Sequence, residues 1–104
     1  MEAMAQPEKA EKILERLTAR MGIAARLERE KAVVMWEEAV GKSIARRAKA
    51  VSLRNDILFV RVQNSVWLQE LSLLKESLIE KINALVGKDI VRDIVFRVGD
   101  PDKE

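Results

Sequence analysis

The feature that most constrains the fold of this chain is a change of hydrophobic period within residues 56–87. Apolar side chains at Leu58, Val60 and Val62 first alternate with other residues, which is the period of a half-buried strand. Apolar residues then recur every three or four positions, as they do along one face of a helix. They are Trp67, Leu71, Leu74, Leu78, Ile82 and Leu85. A strand that leads directly into a long amphipathic helix needs a sheet against which both can pack.

Capping residues predict the bounds of this helix, and two further helices are predicted upstream of it. The side chain of Asn64 or Ser65 can accept hydrogen bonds from the free N–H groups at the helix start. Gly87 can end the helix because glycine adopts the left-handed conformation at low cost. Upstream, a narrow apolar stripe predicts a helix within residues 1–22 that ends at Gly22. A broader apolar pattern predicts a second helix over residues 23–40.

A β-hairpin is predicted immediately before the long helix. Residues 48–53 have the pattern of a strand, with Val51 and Leu53 as its inward pair. The turn that follows centres on Asn-Asp, two residue types that tolerate positive φ and bond their own backbone. The second strand covers residues 57–63, and so short a link makes the two strands antiparallel.

A third strand over residues 90–98 completes the order α-α-β-β-α-β. The predicted class is α+β, with a three-stranded sheet covered on one face by helices. A chain of 104 residues can bury one core, so we expect a single domain over 1–98 and a polar tail over 99–104.

The composition argues against several kinds of chemistry. The chain has no Cys and no His, which removes disulfides, thiol nucleophiles and the usual zinc and iron ligands. We therefore expect no metal and no cofactor. The sequence has no apolar run long enough to span a bilayer, and its N-terminus does not resemble a signal peptide. The expected location is the cytoplasm.

Catalytic motifs are likewise missing, so the chain is not expected to be an enzyme. Its serines have no histidine to activate them. The tripeptide at residues 41–43, Gly-Lys-Ser, resembles the end of a phosphate-binding P-loop. The upstream glycine of that motif is absent, because Trp36 stands at its position, and no strand precedes it.

A basic segment is the clearest functional signal in the sequence. Residues 42–61 contain a single acidic residue, Asp56, among six basic ones. The basic residues are Lys42, Arg46, Arg47, Lys49, Arg54 and Arg61. Such a cluster can follow a phosphate backbone and bind nucleic acid, single-stranded or duplex, with little sequence preference. The alternative is that these residues form an ordinary solvated edge of the sheet, because Lys and Arg also keep exposed edge strands from pairing with other chains.

Apolar residues of the third helix supply a candidate protein-binding surface. Trp36 and Trp67 both lie on apolar helical stripes, where core packing is the usual role of tryptophan. Trp67 is in the first turn of its helix, so its ring can reach the edge of the domain. Val66 and Leu73 lie opposite the main stripe and are candidates for contact with a partner protein or with the first helix.

An ordered set of residues resembles the DciA family of bacterial proteins. The set is Trp36, Val40-Gly41, Ile44-Ala45, Leu58-Val60-Val62, Ser65-Val66-Trp67, Glu70-Leu71, Leu74, Leu78, Ile82-Asn83, Gly87 and Ile94-Phe96. Its most specific part is W-x3-VG followed by L-x-V-x-V-x2-S-x-W-x2-EL. The resemblance covers about residues 30–98, which is most of the chain.

The resemblance implies a KH-like domain, a role in the initiation of DNA replication, and association with the nucleoid. Proteins of this family bind the DnaB-type replicative helicase, help to load it, and bind DNA themselves. This chain lacks the G-x-x-G loop with which KH domains clamp nucleotides, so the basic segment is the better candidate for nucleic-acid contact. Two alternatives remain open at this point: a KH-like RNA-binding module, and a protein–protein adaptor that binds no nucleic acid.

Overall fold

The computed structural model describes residues 7–102, with side chains from Ala10 onward. Residues 1–6 of the predicted first helix and residues 103–104 of the predicted tail lie outside the described residues. The elements are α1 (Pro7–Val40), α2 (Lys42–Ala45), β1 (Ala48–Arg54), β2 (Ile57–Val62), α3 (Ser65–Leu73), α4 (Lys75–Val86) and β3 (Asp93–Val98). The predicted α+β class and the order of helices and strands are confirmed. No helix within residues 7–102 has the length and apolarity to cross a membrane.

The sheet has the strand order β1-β2-β3. Strands β1 and β2 form the predicted antiparallel hairpin, and its turn residues Asn55 and Asp56 have positive φ values of 51° and 64°. Strand β3 pairs with the other side of β2 and is parallel to it. A parallel neighbour needs a crossover connection, which α3 and α4 provide.

The core lies between one face of this sheet and the helices. Leu58, Val60 and Val62 of β2 are buried, as the alternation predicted. Trp36 of α1 is also buried, and its indole N–H donates to the carbonyl oxygen of Ala48 at 3.0 Å. This hydrogen bond satisfies the polar end of a large apolar side chain and ties α1 to β1.

Helix α1 corrects the prediction of two separate helices upstream of the sheet. It runs without a break through Gly22, and the helix ends only before Gly41, whose φ is 85°. A glycine inside a helix costs about 1 kcal/mol relative to alanine, which good helix formers on either side can offset. Positive φ is what ends the helix at Gly41, because the residue leaves the right-handed helical region there.

The long third helix is divided in two, and the third strand begins later than predicted. Leu74 lies at the junction of α3 and α4, where it is 47% exposed although the sequence pattern placed it on the buried stripe. The rest of that stripe is buried or half-buried. Strand β3 begins at Asp93 rather than Ile90, because residues 90 and 91 bond to a side chain of α4 instead of to β2.

Candidate nucleic-acid interface

A row of three cations crosses the face of the sheet that the helices leave uncovered. Lys49 of β1 is the cross-strand partner of Arg61 on β2, and Arg61 is the partner of Arg97 on β3. Cross-strand partners project to the same face of a sheet. The neighbours Val60 and Val62 project to the buried face, so the three cations project away from the core. We call the side that carries Arg47, Lys49, Arg54, Phe59, Arg61 and Arg97 the open face.

A β-bulge puts Lys49 in this row. The register changes between Ala50 and Ser52, so that Val51 is an extra residue in β1. If Val51 were instead paired with Val60 in a regular register, Lys49 would be opposite Val62 and would point into the core, since a shift of one residue reverses the faces of a strand. The bulge also overturns one prediction: Val51 does not point inward but is 49% exposed, whereas Leu53 is buried as predicted.

Three arginines surround Phe59 in a shallow depression of the open face. Arg54, Arg61 and Arg97 line it together with Phe59, and neither Asp nor Glu is among its described lining residues. The guanidinium carbon of Arg97 lies 5.8 Å from the centre of the Phe59 ring, which is within the range of a cation–π contact. Guanidinium groups bind phosphate oxygens, and a half-exposed aromatic ring can stack on an unpaired base.

Acidic side chains lie at two borders of the positively charged part of the open face. Lys49 donates to the carboxylate of Asp102 at 2.7 Å, and this hydrogen bond together with the charge of Asp102 raises the pKa of Lys49. At the other end Asp93 accepts from the N–H of Ile94 at 2.8 Å and pairs with Lys75 at 3.2 Å. These contacts lower the pKa of Asp93, the backbone hydrogen bond being the larger cause. The positive charge is therefore concentrated between these two sites.

The segment after β3 crosses the end of the sheet instead of extending away from it. The N–H of Gly99 donates to the carbonyl oxygen of Val62 at 2.8 Å. A Cβ atom at position 99 would lie 3.0 Å from the Cδ of Arg61, so a glycine lets the chain pass close to this side chain. From there the chain reaches Asp102, whose carboxylate holds Lys49. The first part of the predicted polar tail thus packs beside the candidate interface.

The six basic residues predicted from the sequence occupy two neighbouring surfaces. Arg47, Lys49, Arg54 and Arg61 lie on the open face, where Arg47 also donates to the side chain of Gln63 at 3.0 Å. Lys42 begins α2 and Arg46 follows its end, and both line a second depression together with Lys49, Glu37 and Asp102. This second depression combines cations with carboxylates, so it is the weaker site for a polyanion.

Arg97 and Phe59 are the candidate residues that the sequence prediction missed. Both lie within predicted strands, but Arg97 is far along the chain from the basic segment. The alternation of β3 did place Arg97 on the side opposite Ile94. What local pattern could not indicate is that β3 pairs with β2 in the register that puts Arg97 beside Arg61.

The predicted protein-binding residues lie on α3. Val66 and Leu73 are 67% and 84% exposed, and a separation of seven residues places them on the same face of that helix. Trp67 is half-buried and packs against the core. Among residues 7–102 there is no group of three or more acidic residues close enough to hold a metal ion.

Comparisons with known proteins place this fold in a family. Residues 9–96 match the family model described as Dna[CI] antecedent, DciA. A UPF0232 protein of Mycobacterium tuberculosis is 28% identical over 88 residues, covering 85% of this chain and 47% of the relative. A UPF0232 protein of Rhodococcus jostii is 32% identical over 59 residues, which cover 57% of this chain and 31% of the relative. The chain thus spans about half the length, or less, of these relatives.

Proposed function

This chain belongs to the DciA family, and on that premise we propose that it is a non-enzymatic accessory protein of bacterial DNA replication. In this proposal it binds the DnaB-type replicative helicase and DNA, and assists the loading or the activity of the helicase. The family assignment supports a role at the replicative helicase in general.

The observation that carries the DNA-binding activity is the cation row Lys49–Arg61–Arg97 on the open face. Arg54 extends the positive charge from this row toward the hairpin turn, around Phe59. Adjacent strands of a sheet are about 5 Å apart, so the three long side chains start from neighbouring positions and can reach successive phosphates along one strand. Contacts of this kind are made to the phosphates of the nucleic acid and do not distinguish its bases, so the proposed binding has little sequence preference.

Contact with the helicase is proposed for the exposed side of α3. Val66 and Leu73 form an apolar pair on this helix, and Trp67 anchors the helix to the core beneath them. Large exposed apolar side chains on one helix face are typical of protein-binding surfaces. The helix face is separate from the open face of the sheet, so a single molecule has room for both partners.

An RNA-binding role is the second candidate, because the same open face combines arginines with an aromatic ring. Proteins that bind single-stranded RNA use sheet surfaces with stacking side chains, and RNA is distinguished from DNA by contacts to its 2′-hydroxyl groups. A preference for an RNA strand over a DNA strand of the same sequence would favour this candidate.

The nucleic-acid activity is tested by the double variant Arg54→Gln/Arg97→Gln. Its affinity for a labelled single-stranded DNA should fall about tenfold at moderate salt, with a shallower dependence of affinity on salt. The matched control is Lys12→Gln/Arg16→Gln, which removes two exposed cations from the distant part of α1. Equal affinity of the two variants at two salt concentrations would rule out the open face.

The helicase activity is tested by capture of the purified helicase of the same organism on the immobilised chain. The variant Val66→Glu/Leu73→Glu should lose binding, because it puts two charges on the proposed apolar contact. The control Ser72→Glu/Ser77→Glu places the same charges at other exposed positions of α3 and α4. If the unmodified chain fails to retain the helicase at low salt, the proposed helicase partnership is wrong.

A further inference from the structure

The cation row of the open face is already in contact with a carboxylate at one end. Lys49 donates to Asp102 at 2.7 Å, although the two residues are 53 positions apart in the chain. The pKa of Lys49 is raised chiefly by this hydrogen bond and by the charge of Asp102, and in smaller part by the charges of Glu37 and Asp100. We call residues 99–102, which follow β3 and carry two of these carboxylates, the strap. One cation of the proposed phosphate-binding row thus has an acidic partner in its own chain.

The fold fixes the position at which the strap begins. The N–H of Gly99 donates to the carbonyl oxygen of Val62, the last residue of β2, at 2.8 Å. This hydrogen bond directs the chain from the end of β3 across the end of its neighbour β2, toward β1. A Cβ atom at position 99 would lie 3.0 Å from the Cδ of Arg61, so the strap begins directly against the middle cation of the row.

A local turn fixes the direction in which the strap continues. The side chain of Asp100 accepts from the N–H of Asp102 at 2.9 Å, which is the hydrogen bond of an Asx-turn. Pro101 stands between the two residues, and its fixed φ suits a central position of such a turn. Because this turn forms within four residues, it holds the carboxylate of Asp102 near Lys49 and lowers the entropic cost of their ion pair.

The carboxylate of Asp102 occupies a place at Lys49 that a phosphate oxygen would take. Carboxylate and phosphate both accept from the ammonium group, and their mutual repulsion disfavours binding of both at once. A nucleic-acid strand that lies along Lys49, Arg61 and Arg97 therefore has to displace Asp102. The exchange is feasible because the side chains of Lys49 and Asp102 are 50% and 80% exposed, and exposed ion pairs are weak.

We propose that the strap is an autoinhibitory element of the open face, in which Asp102 competes with nucleic acid for Lys49 and is displaced when a strand binds. This inference rests on the proposed binding of nucleic acid at the same face. A ligand that reaches only Arg61 or Arg97 leaves the strap in place, whereas a strand that also contacts Lys49 opens it. The strap thus lowers the affinity for nucleic acid by a modest factor, which decreases as salt screens the charges.

Asp102→Asn tests the strap on the whole chain, because it removes the charge and keeps the size of the side chain. The affinity for a labelled single-stranded DNA should rise about threefold at low salt, as expected for the loss of an exposed ion pair. The dependence of affinity on salt should become steeper by up to one phosphate contact, a change in slope of about 0.7. Glu80→Gln is the matched control, because it removes the same charge from an exposed position of α4 and should leave the affinity unchanged.

A second comparison separates the specific contact from a general effect of charge. In a chain that carries Lys49→Gln, the further change Asp102→Asn should give little gain, because the partner of Asp102 is already absent. A full gain in that background would overturn the strap, and so would equal affinities of Asp102→Asn and the unmodified chain when both bind. Binding by Asp102→Asn alone would support it.

Failure of both proteins to bind the strand at low salt would instead refute the proposed nucleic-acid activity, and the strap with it. Far-UV circular dichroism checks that every variant is folded.

Discussion

The side chain of Asn83 forms two hydrogen bonds with the backbone of a single residue, Val91. Its amide nitrogen donates to the Val91 carbonyl oxygen at 2.9 Å, and its carbonyl oxygen accepts from the Val91 N–H at 2.9 Å. The same oxygen also accepts from the N–H of Ile90 at 3.1 Å. One amide side chain of α4 thus forms hydrogen bonds with the backbone that leads into β3 and fixes where β3 begins.

Replacement of this amide should destabilise the fold. In Asn83→Ala the N–H of Val91 loses its bond to the Asn83 oxygen in a partly buried site, and the N–H of Ile90 keeps its bond to the carbonyl oxygen of Lys88. The free energy of unfolding should therefore fall by about 2 kcal/mol. Chemical denaturation measures the loss. Lys81→Gln, an exposed change on the same helix, should stay within about 0.5 kcal/mol of the unmodified chain. Equal stabilities of the two variants would contradict the role of Asn83.

Phe59 should distinguish single-stranded from duplex DNA. In Phe59→Leu the arginines of the open face remain but the stacking surface is lost, so affinity for a single strand should fall by about 1–2 kcal/mol. Affinity for a duplex should change little, because stacked bases are not available to the ring. Fluorescence anisotropy with both ligands at the same salt concentration measures the ratio. An equal loss for both ligands would show that the ring supports the arginines rather than a base.

Gly22→Ala should make the exposed first half of α1 more helical. Gly22 lies within α1, and a Cβ atom there would have no neighbour within 4 Å, so alanine gains helix propensity without a clash. We expect about 1 kcal/mol in favour of the local helix. The measurement is slower amide hydrogen exchange between Ile13 and Leu27. The opposite result, faster exchange, would mean that α1 is interrupted at this glycine in solution.

Asp93→Asn should lower stability at neutral pH but not in acid. The pKa of Asp93 is lowered from 3.8 in the folded protein, so the carboxylate stabilises the fold above that value. The contribution is lost as pH falls through the folded pKa, because the carboxyl group is then protonated in both states. The site is partly exposed, so the expected loss is only about 0.5–1 kcal/mol.

Chemical denaturation of Asp93→Asn and of the unmodified chain, from neutral pH to pH 2, measures the difference between their stabilities, which should vanish in acid. Lys75→Gln should lose less stability than Asp93→Asn over the same range, because it keeps the hydrogen bond between Asp93 and the N–H of Ile94. A stability difference between Asp93→Asn and the unmodified chain that persists below the folded pKa would contradict the assignment.

Local patterns were sufficient where each residue's role depends on its immediate neighbours. The alternation of Leu58, Val60 and Val62 identified their buried face, and the Asn55–Asp56 turn identified the hairpin. The cap at Asn64 was also foreseen, and its side chain accepts from the N–H of Trp67 at 3.0 Å. These features follow from side-chain size, backbone preference and hydrogen bonds within a few residues of each other.

Patterns failed where one local preference had to be weighed against another. Gly22 and Gly41 are both glycines near the end of an apolar pattern, yet only Gly41 ends a helix. Propensity alone ranks them equally. The difference is that the residues after Gly41 must turn to bring the carbonyl oxygen of Ala48 to the indole of Trp36. The residues on either side of Gly22, as far as Leu27, are exposed, so no contact with the body requires a turn there.

The sequence by itself determined the class of fold, the strands and helices of the body, and the excess of positive charge in residues 42–61. Only the tertiary structure decided which of those charges act together. The bulge at Val51 turned Lys49 to the open face, and the parallel pairing of β3 with β2 brought Arg97 beside Arg61. The physical reason is that strand order and register depend on contacts between distant parts of the chain, which local periodicity does not encode.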